Sequence, residues 1–262
     1  MHTARVTIDG TELAHAFRGG SGAAIVMIHG LGAAKEAFDA AFVRVELRGR
    51  ALLAADLVGF GDSARPDEFS YRLAQQADVL LALIDALDIE RFSIVAHSMG
   101  GIVGLHLAQR AAGRVQSFVN AEGNLTAEDC TLSSAVIRVD EEAFVAGGFA
   151  RLQAAIAQTF GTADDAALAR YLATLARSGP RAFFRSAADT VRESSSGELL
   201  AAFHALRCRK VYLYGAHNQG RFPAEQQLRR AGIPVRFVAH SGHAMADENP
   251  AGFYAEVAEL TR

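Results

Sequence analysis

The apolar residues of this chain fall mainly into short runs bounded by glycine and polar turn residues. Runs of this length and setting are typical of buried β-strands. Six of them are predicted as strands, at 25–28, 52–55, 92–96, 115–119, 211–214 and 235–238. Between strands the apolar spacing changes to three and four residues, most clearly over 73–87, which predicts amphipathic helices. Strands that alternate with helices predict an α/β fold with a mostly parallel sheet.

Two segments depart from this alternation. The first, 5–17, has a strand-like pattern on both sides of Asp9-Gly10, which predicts a hairpin at one edge of the sheet. The second, 124–206, shows no strand pattern and divides into helical stretches at glycine- and serine-rich breaks. We therefore expect a core formed by 1–123 and 207–262, with helices flanking its sheet, and an inserted helical cap at 124–206.

Composition and charge narrow the class of protein. Half of the 262 residues are hydrophobic, which is enough for one large core. The net charge is −3 without a basic run, so nucleic acid is not an expected partner. The longest apolar stretches have about six residues, whereas a bilayer-spanning helix needs about 20, so no membrane partner is expected. The first residues lack the apolar core of a secretion signal, which predicts a cytoplasmic protein.

The two cysteines, Cys130 and Cys208, lie far apart without the spacing of a disulfide framework or a zinc site. Neither of them lies in a motif that would make it a nucleophile. We expect no metal and no cofactor, and we expect a small molecule as the substrate. The sequence leaves a homodimer open.

The stretch FSIVAHSMGG at 92–101 carries the candidate nucleophile. It is predicted as a strand, a sharp turn and the start of a helix, a context that holds a serine, here Ser98, at a strained corner with its hydroxyl exposed. Ala96 and Gly100 are small enough to let strand and helix approach closely. The alternative is that Ser98 only caps the helix that follows. Its place at the end of a buried strand favours the nucleophile.

Four motifs in this order resemble the α/β-hydrolase superfamily over nearly the whole chain. They are HGLG at 29–32, DLVGFGDS at 56–63, AHSMG at 96–100 and SGH at 241–243. The third departs from the usual G-x-S-x-G pattern by an alanine at its first position. The resemblance implies a serine hydrolase with a helical cap, whereas haloalkane dehalogenases and epoxide hydrolases of the superfamily carry an aspartate in place of the serine.

The resemblance also implies an oxyanion hole. One donor is the backbone N–H of Met99, at a helix start whose dipole favours an anion, and the other is that of Leu31. Such a donor typically lowers the barrier by about 3–4 kcal/mol. Gly30, His97 and Phe60 are expected to contact the substrate. Gly30 and Gly32 are expected to serve as turn residues as well, and the 56–63 turn is expected to be mainly architectural.

His243 is the candidate base. It follows the last predicted strand in a glycine-containing loop and precedes the predicted helix at 250–260, so this loop can bring an imidazole over the strand ends. The order of serine before histidine agrees with the fold. His240 is the nearest rival.

The acid is not where the resemblance places it. In most relatives a carboxylate follows the strand that here is 211–214, but this position holds Asn218, and such an exchange costs about 10⁴-fold in rate in a well-studied triad. Some relatives carry the acid after the preceding strand, where this chain has Glu122, and we predict Glu122 as the acid. Asp129, Asp247 or no acid at all remain alternatives, although Asp247 is more typical of a cap for the final helix.

These residues predict acyl transfer from a small, largely apolar ester or lactone to water through an acyl-enzyme. Amides, thioesters and carbon–carbon bonds remain open as substrates. Two other classes of function are also compatible with the fold, a non-hydrolytic ligand receptor and a cofactor-free lyase. Ser98 and His243 favour the hydrolase, because a binding module needs neither.

Overall fold

The computed structural model describes residues 3–160 and 166–262. Residues 1, 2 and 161–165, which fall within the expected core and cap, lie outside the described residues. The described strands form one sheet in the order β1-β2-β4-β3-β5-β6-β7-β8. Their bounds are β1 (Thr3–Ile8), β2 (Thr11–Arg18), β3 (Ser21–Ile28), β4 (Arg50–Ala55), β5 (Phe92–His97), β6 (Val115–Ala121), β7 (Arg209–Gly215) and β8 (Val235–Val238).

The sheet is parallel from β4 to β8 and antiparallel at the β1–β2 edge. The hairpin predicted over 5–17 forms this edge. Its two turn residues, Asp9 and Gly10, have φ angles of 46° and 79°. Positive φ at both central residues is what a tight hairpin turn requires, and Asp-Gly accepts it at low cost.

Helices cover both faces of the sheet, which explains why the central strands are apolar throughout. In β3 successive residues go to opposite faces. Val26 and Ile28 join a core with the helices α1 (Leu73–Ala86) and α2 (Gly100–Arg110). Ile25 and Met27 join a second core, on the other face, with α11 (Pro250–Leu260). The helices α9 (Pro223–Arg230) and α10 (Met245–Glu248) also lie outside 124–206.

The described part of the chain between β6 and β7 consists of helices joined by turns and contains no strand, and we call 124–206 the helical segment. Its helices are α3 (Thr131–Val136), α4 (Glu141–Ala143), α5 (Phe149–Phe160), α6 (Ala166–Leu175), α7 (Pro180–Ser194) and α8 (Leu199–Ala205). A π-helical turn at Phe144–Gly148 joins α4 to α5. Phe144 of this turn stacks on Phe183 of α7, with ring centroids 6.0 Å apart. Among the described residues no helix has the length and hydrophobicity needed to cross a membrane.

Candidate active site

Ser98 is held at the tight turn between β5 and α2. Its φ angle is 53°, a left-handed conformation that non-glycine residues rarely adopt. The Ser98 N–H donates to the carbonyl of Ala121 at the end of β6 (3.0 Å). A Cβ at Gly100 would lie 2.6 Å from the carbonyl oxygens of Ile28 and His29. The close approach of strand and helix therefore requires a glycine here.

Glu122 occupies the equivalent position at the end of the neighbouring strand. Its φ angle is 45°, and its N–H donates to the carbonyl of Leu213 in β7 (2.9 Å). The parallel register pairs His97 with Ala121, and Ala121 with Leu213. The residues that follow β5 and β6 therefore reach the same edge of the sheet, at the carboxyl ends of the strands where α/β proteins bind ligands.

The carboxylate of Glu122 accepts a hydrogen bond from the imidazole of His243. The distance from His243 Nδ1 to Glu122 Oε2 is 2.8 Å, and the Glu122 side chain is only 4% exposed. Burial by itself would raise the pKa of Glu122. The hydrogen bonds from His243, Asn218 and the Gly215 N–H outweigh burial and hold this pKa below its usual value.

Asn218 contacts Glu122 rather than His243. Its Nδ2 lies 3.0 Å from each oxygen of the Glu122 carboxylate, and the Gly215 N–H lies 2.8 Å from Oε1. The amide that follows β7 thus fixes a carboxylate that follows the neighbouring strand, β6. Sequence reasoning placed the acid at Glu122 but did not assign this contact to Asn218.

The loop that carries His243 is held by hydrogen bonds to His97 and Glu248. The Nε2–H of His97 donates to the His243 carbonyl (2.8 Å), and the centroids of these two rings lie 4.6 Å apart. Burial, with the imidazole of His243 beside it, lowers the pKa of His97 to about 3. Carboxylate oxygens of Glu248 accept the N–H groups of Gly242 and Ala244. His97 is therefore a neutral donor that supports the loop.

Residues 30–36, which we call the oxyanion loop after the motif that they resemble, begin beside Ser98. A Cβ at Gly30 would lie 2.9 Å from Ser98 Cβ. Leu31 and Met99 are buried at the cavity, and within 3–160 and 166–262 neither backbone N–H makes a hydrogen bond. Unpaired backbone N–H groups are the kind of donor that an oxyanion hole uses.

The oxyanion loop is anchored to the 56–63 turn. His29 is fully buried and neutral, because burial lowers its pKa; its Nε2 accepts the Leu57 N–H (3.0 Å) and its Nδ1–H donates to the Gly30 carbonyl (2.8 Å). Lys35 is also fully buried, with Nζ 2.9 Å from Asp56 and 2.8 Å from Asp62. These bonds give the turn the architectural role that its sequence predicted.

One cavity of about 860 Å³ connects these groups. Ser98, His243 and Glu122 all line it. In the part of the chain that the structure describes, Ser98 Oγ and the His243 ring do not form a direct hydrogen bond; this bond is often long in unliganded enzymes and tightens when substrate binds. The helical segment supplies an apolar wall to the cavity, formed by Leu132, Ala135, Ile156, Leu168 and Tyr171.

Phe60 is a correction to the sequence prediction. It is fully buried, its ring packs edge-on against His29 with centroids 5.6 Å apart, and it is not among the residues that line the cavity. An aromatic residue in a glycine-rich turn can point either to the ligand or to the core, and the Phe60 side chain packs in the core. Gly30 and His97, the other two residues expected to contact substrate, do line the cavity.

The rival candidates have other surroundings. His240 is exposed and does not line the cavity. Asp129 lines it, but its Oδ2 accepts the N–H groups of Leu125 and Thr126. Asp247 pairs with Arg170 (2.7 Å). The side chain that caps the final helix is that of Asn249, so the prediction of Asp247 as its cap is wrong.

Comparison with known proteins agrees with this architecture. The sequence model of the Alpha/beta hydrolase family matches residues 25–257. A haloalkane dehalogenase from Agrobacterium fabrum is 38% identical over 103 residues, which cover 39% of this chain and 33% of that protein. A 2-hydroxymuconate semialdehyde hydrolase from Pseudomonas sp. is 37% identical over 102 residues, covering 38% of this chain and 36% of that protein. The matched part thus spans about a third of each relative's own length.

The structural likeness covers more of the molecule. The crystal structure of the enol-lactonase from Burkholderia xenovorans superposes with a TM-score of 0.77. This alignment covers 98% of this chain and 99% of that chain, at 21% sequence identity. At such identity the likeness establishes the fold, an eight-stranded sheet with flanking helices.

Proposed function

Since the chain belongs to the alpha/beta hydrolase family, we propose that it is a serine hydrolase that cleaves an ester or a lactone through an acyl-enzyme. Ser98 is the nucleophile, His243 the general base and Glu122 the acid of this proposal. The observation that carries it is the 2.8 Å hydrogen bond from His243 Nδ1 to the buried Glu122 carboxylate, in the wall of the cavity that Ser98 also lines.

The proposed reaction uses this bond to fix the tautomer of the base. With Nδ1–H donated to Glu122, the other ring nitrogen, Nε2, carries the lone pair that takes the Ser98 proton. The hydroxyl oxygen then attacks the substrate carbonyl carbon, and the carbonyl electron pair moves onto its oxygen. The N–H groups of Leu31 and Met99 stabilise this oxyanion, while Glu122 stabilises the imidazolium.

The tetrahedral intermediate collapses when the imidazolium gives its proton to the leaving alcohol oxygen. This step leaves an ester between Ser98 and the acyl group. A water molecule that gives a proton to His243 then attacks the same carbonyl. His243 passes this proton to the departing Ser98 oxygen, which regenerates the hydroxyl and releases the acid. In a lactone the leaving oxygen stays attached to the acyl group, so the product is a single hydroxy acid.

The cavity supports a small, largely apolar substrate. Its wall from the helical segment includes a group of aliphatic side chains and Tyr171 beside polar residues such as Thr131 and Arg170. We assign this segment the role of a cap that shapes the acyl site. Pockets of about 300–1,000 Å³ usually bind drug-sized ligands, and about 860 Å³ is within this range. The enol-lactonase that shares the fold makes a lactone a reasonable first substrate to assay.

The test combines labelling with turnover. Wild-type protein should react with a fluorophosphonate probe and hydrolyse p-nitrophenyl acetate, butanoate and hexanoate, and Ser98→Ala should lose both activities. Ser195→Ala is the matched control, because Ser195 is exposed and lies in the turn after α7. Wild-type protein that is folded but neither labels nor turns over any of these esters or a set of lactones would contradict the proposal and favour a ligand receptor or a lyase.

A further inference from the structure

Helix α6 of the helical segment contacts the oxyanion loop through a hydroxyl group. Tyr171 donates its O–H to the carbonyl of Leu31 (3.2 Å), the residue whose N–H we assign to the oxyanion hole. The peptide that this carbonyl belongs to joins Leu31 to Gly32. The Ala33 N–H donates back to the Gly30 carbonyl (3.2 Å), and Gly32 has a φ angle of 74°. Residues 30–33 therefore form a turn of the type that needs a glycine at its third position.

Side chains of the helical segment pack against the same turn at Gly32. A Cβ at Gly32 would lie 2.8 Å from Leu175 Cδ1, 2.9 Å from Phe183 Cε2 and 2.9 Å from the Tyr171 hydroxyl oxygen. Three side chains of α6 and α7 thus rest on the backbone of the loop. The central peptide of such a turn can rotate between two orientations, and these contacts hold it in one of them.

A second contact joins the turn after α6 to the far end of the oxyanion loop. The guanidinium of Arg177 lies 2.8 Å from Glu36 and 2.8 Å from Asp62. Both carboxylates also accept from the buried ammonium of Lys35, at 3.0 Å and 2.8 Å. The hydrogen bonds and charges of these two cations hold the pKa values of Glu36 and Asp62 below their usual range, against the effect of burial.

We propose that α6 and the turn that follows it brace the oxyanion loop, with Tyr171 and Arg177 as positioning residues for the oxyanion hole. The helical segment then contributes to the rate of acyl transfer as well as to the shape of the substrate site. This inference rests on the proposed function, since it assigns a role in the same reaction.

A brace and a substrate contact have different kinetic signatures. Positioning of the Leu31 N–H stabilises the tetrahedral intermediate and not the bound substrate, so its loss lowers kcat and leaves KM nearly unchanged. Tyr171 also lines the cavity, and a mere contact with substrate would raise KM instead. A trifluoromethyl ketone, which forms a tetrahedral adduct with the serine, reports on the oxyanion hole directly.

The first experiment compares Tyr171→Phe with Tyr71→Phe. Tyr71 donates to the carbonyl of Pro66 (2.8 Å) away from the cavity, so its variant loses the same kind of bond outside the site. We expect Tyr171→Phe to lower kcat on p-nitrophenyl butanoate about fivefold, with KM within twofold of wild type and trifluoromethyl ketone affinity reduced by the same factor as kcat. Tyr71→Phe should retain wild-type values.

The second experiment compares Arg177→Met with Arg236→Met. Arg236 of β8 also binds two carboxylates, Glu256 and Glu259 of α11, at 2.9 Å and 2.8 Å, but it does not line the cavity. We expect Arg177→Met to lower kcat about threefold in 50 mM NaCl and less in 1 M NaCl, because Arg177 is one-third exposed and salt screens its ion pairs in the wild type. Arg236→Met should show no such difference.

The outcomes separate the brace from the proposed function. Unchanged kcat in both Tyr171→Phe and Arg177→Met, or a rise in KM alone, would overturn the brace and leave the serine hydrolase intact. An equal loss in the control variants would show that stability, and not the loop, was affected, and would also overturn it. Wild-type protein that shows neither labelling nor turnover would overturn the proposed function, and the brace with it.

Discussion

Asn218 donates its side-chain amide to both oxygens of the Glu122 carboxylate, at 3.0 Å each, across the ends of two neighbouring strands. The side chain that follows β7 is therefore a hydrogen-bond partner of the carboxylate that follows β6. An amide suits this position because a second carboxylate there would repel Glu122. This contact explains the presence of an asparagine at a position where the sequence resemblance leads us to expect a carboxylate.

Removal of the Glu122 charge should impair the reaction far more than removal of its neighbour. We expect Glu122→Gln to lower kcat by about 10³–10⁴-fold, since the amide cannot offset imidazolium charge and can favour the wrong tautomer. Asn218→Ala removes one of several donors to the carboxylate and should cost less than about tenfold. Steady-state kinetics on p-nitrophenyl butanoate measures both, and near-normal turnover in Glu122→Gln would remove Glu122 from the triad.

The imidazole of His97, which is half-buried at the cavity, should make the protein less stable in acid. Its pKa is about 3 in the folded state and near the ordinary 6.5 in the unfolded chain. Between these values the unfolded chain binds more protons, so this contribution to stability is present above pH 6.5 and is lost as the pH falls towards 3. We expect His97→Gln, which keeps a donor, to lose less unfolding free energy than wild type between pH 7 and pH 5 in urea titrations. An equal loss would show that His97 is not the group that titrates.

The turn at the nucleophile should not accept a methyl group. Gly100→Ala places a Cβ 2.6 Å from two backbone carbonyl oxygens, which cannot move without shifting the strand, so we expect about 1–3 kcal/mol of destabilisation and a loss of labelling at Ser98. Gly113→Ala, where no atom lies within 4 Å of the new Cβ, is the matched control. Thermal melts and fluorophosphonate labelling of both variants decide the matter, and equal stabilities would contradict the tight turn.

The buried ammonium of Lys35 should be required for folding rather than chemistry. Lys35→Met leaves the fully buried Asp56 carboxylate without its cation, a change that typically costs about 3–5 kcal/mol. Lys210→Met, which removes an ammonium bonded to a backbone carbonyl at 2.6 Å, should cost much less. Urea denaturation of the two variants gives the difference, and a Lys35→Met protein as stable as wild type would refute the assignment.

Most of the sheet was predictable because its signals are local. Each apolar run became a strand, and several strands extend by one or more residues beyond the run, as β3 does from 25–28 to Ser21–Ile28. The hairpin turn at Asp9-Gly10 and the α/β order of elements are also as predicted. The sequence expectations of a cytoplasmic location and of a homodimer stay predictions.

The contacts that define the site were less predictable because they join residues far apart in the chain. Nothing in the local pattern distinguishes Lys35 from a surface lysine, yet two loops enclose it completely. Phe60 and Asn249 show the same limit, since the choice between core and ligand, or between two neighbouring caps, is made by tertiary packing. Tyr171 carries no sequence signal at all for its bond to Leu31.

The parallel pairing of β6 with β7 has a wider consequence for how such sites can change. Adjacent strands lie about 4.8 Å apart, which is less than the reach of a glutamate side chain. An imidazole positioned between two strand ends can therefore donate a hydrogen bond to a carboxylate that follows either strand, without a change in the position of the serine or the histidine. Two substitutions are enough to move the carboxylate from one strand end to the other. The sequence position of the acid therefore says less about the relatedness of two such proteins than its position in space.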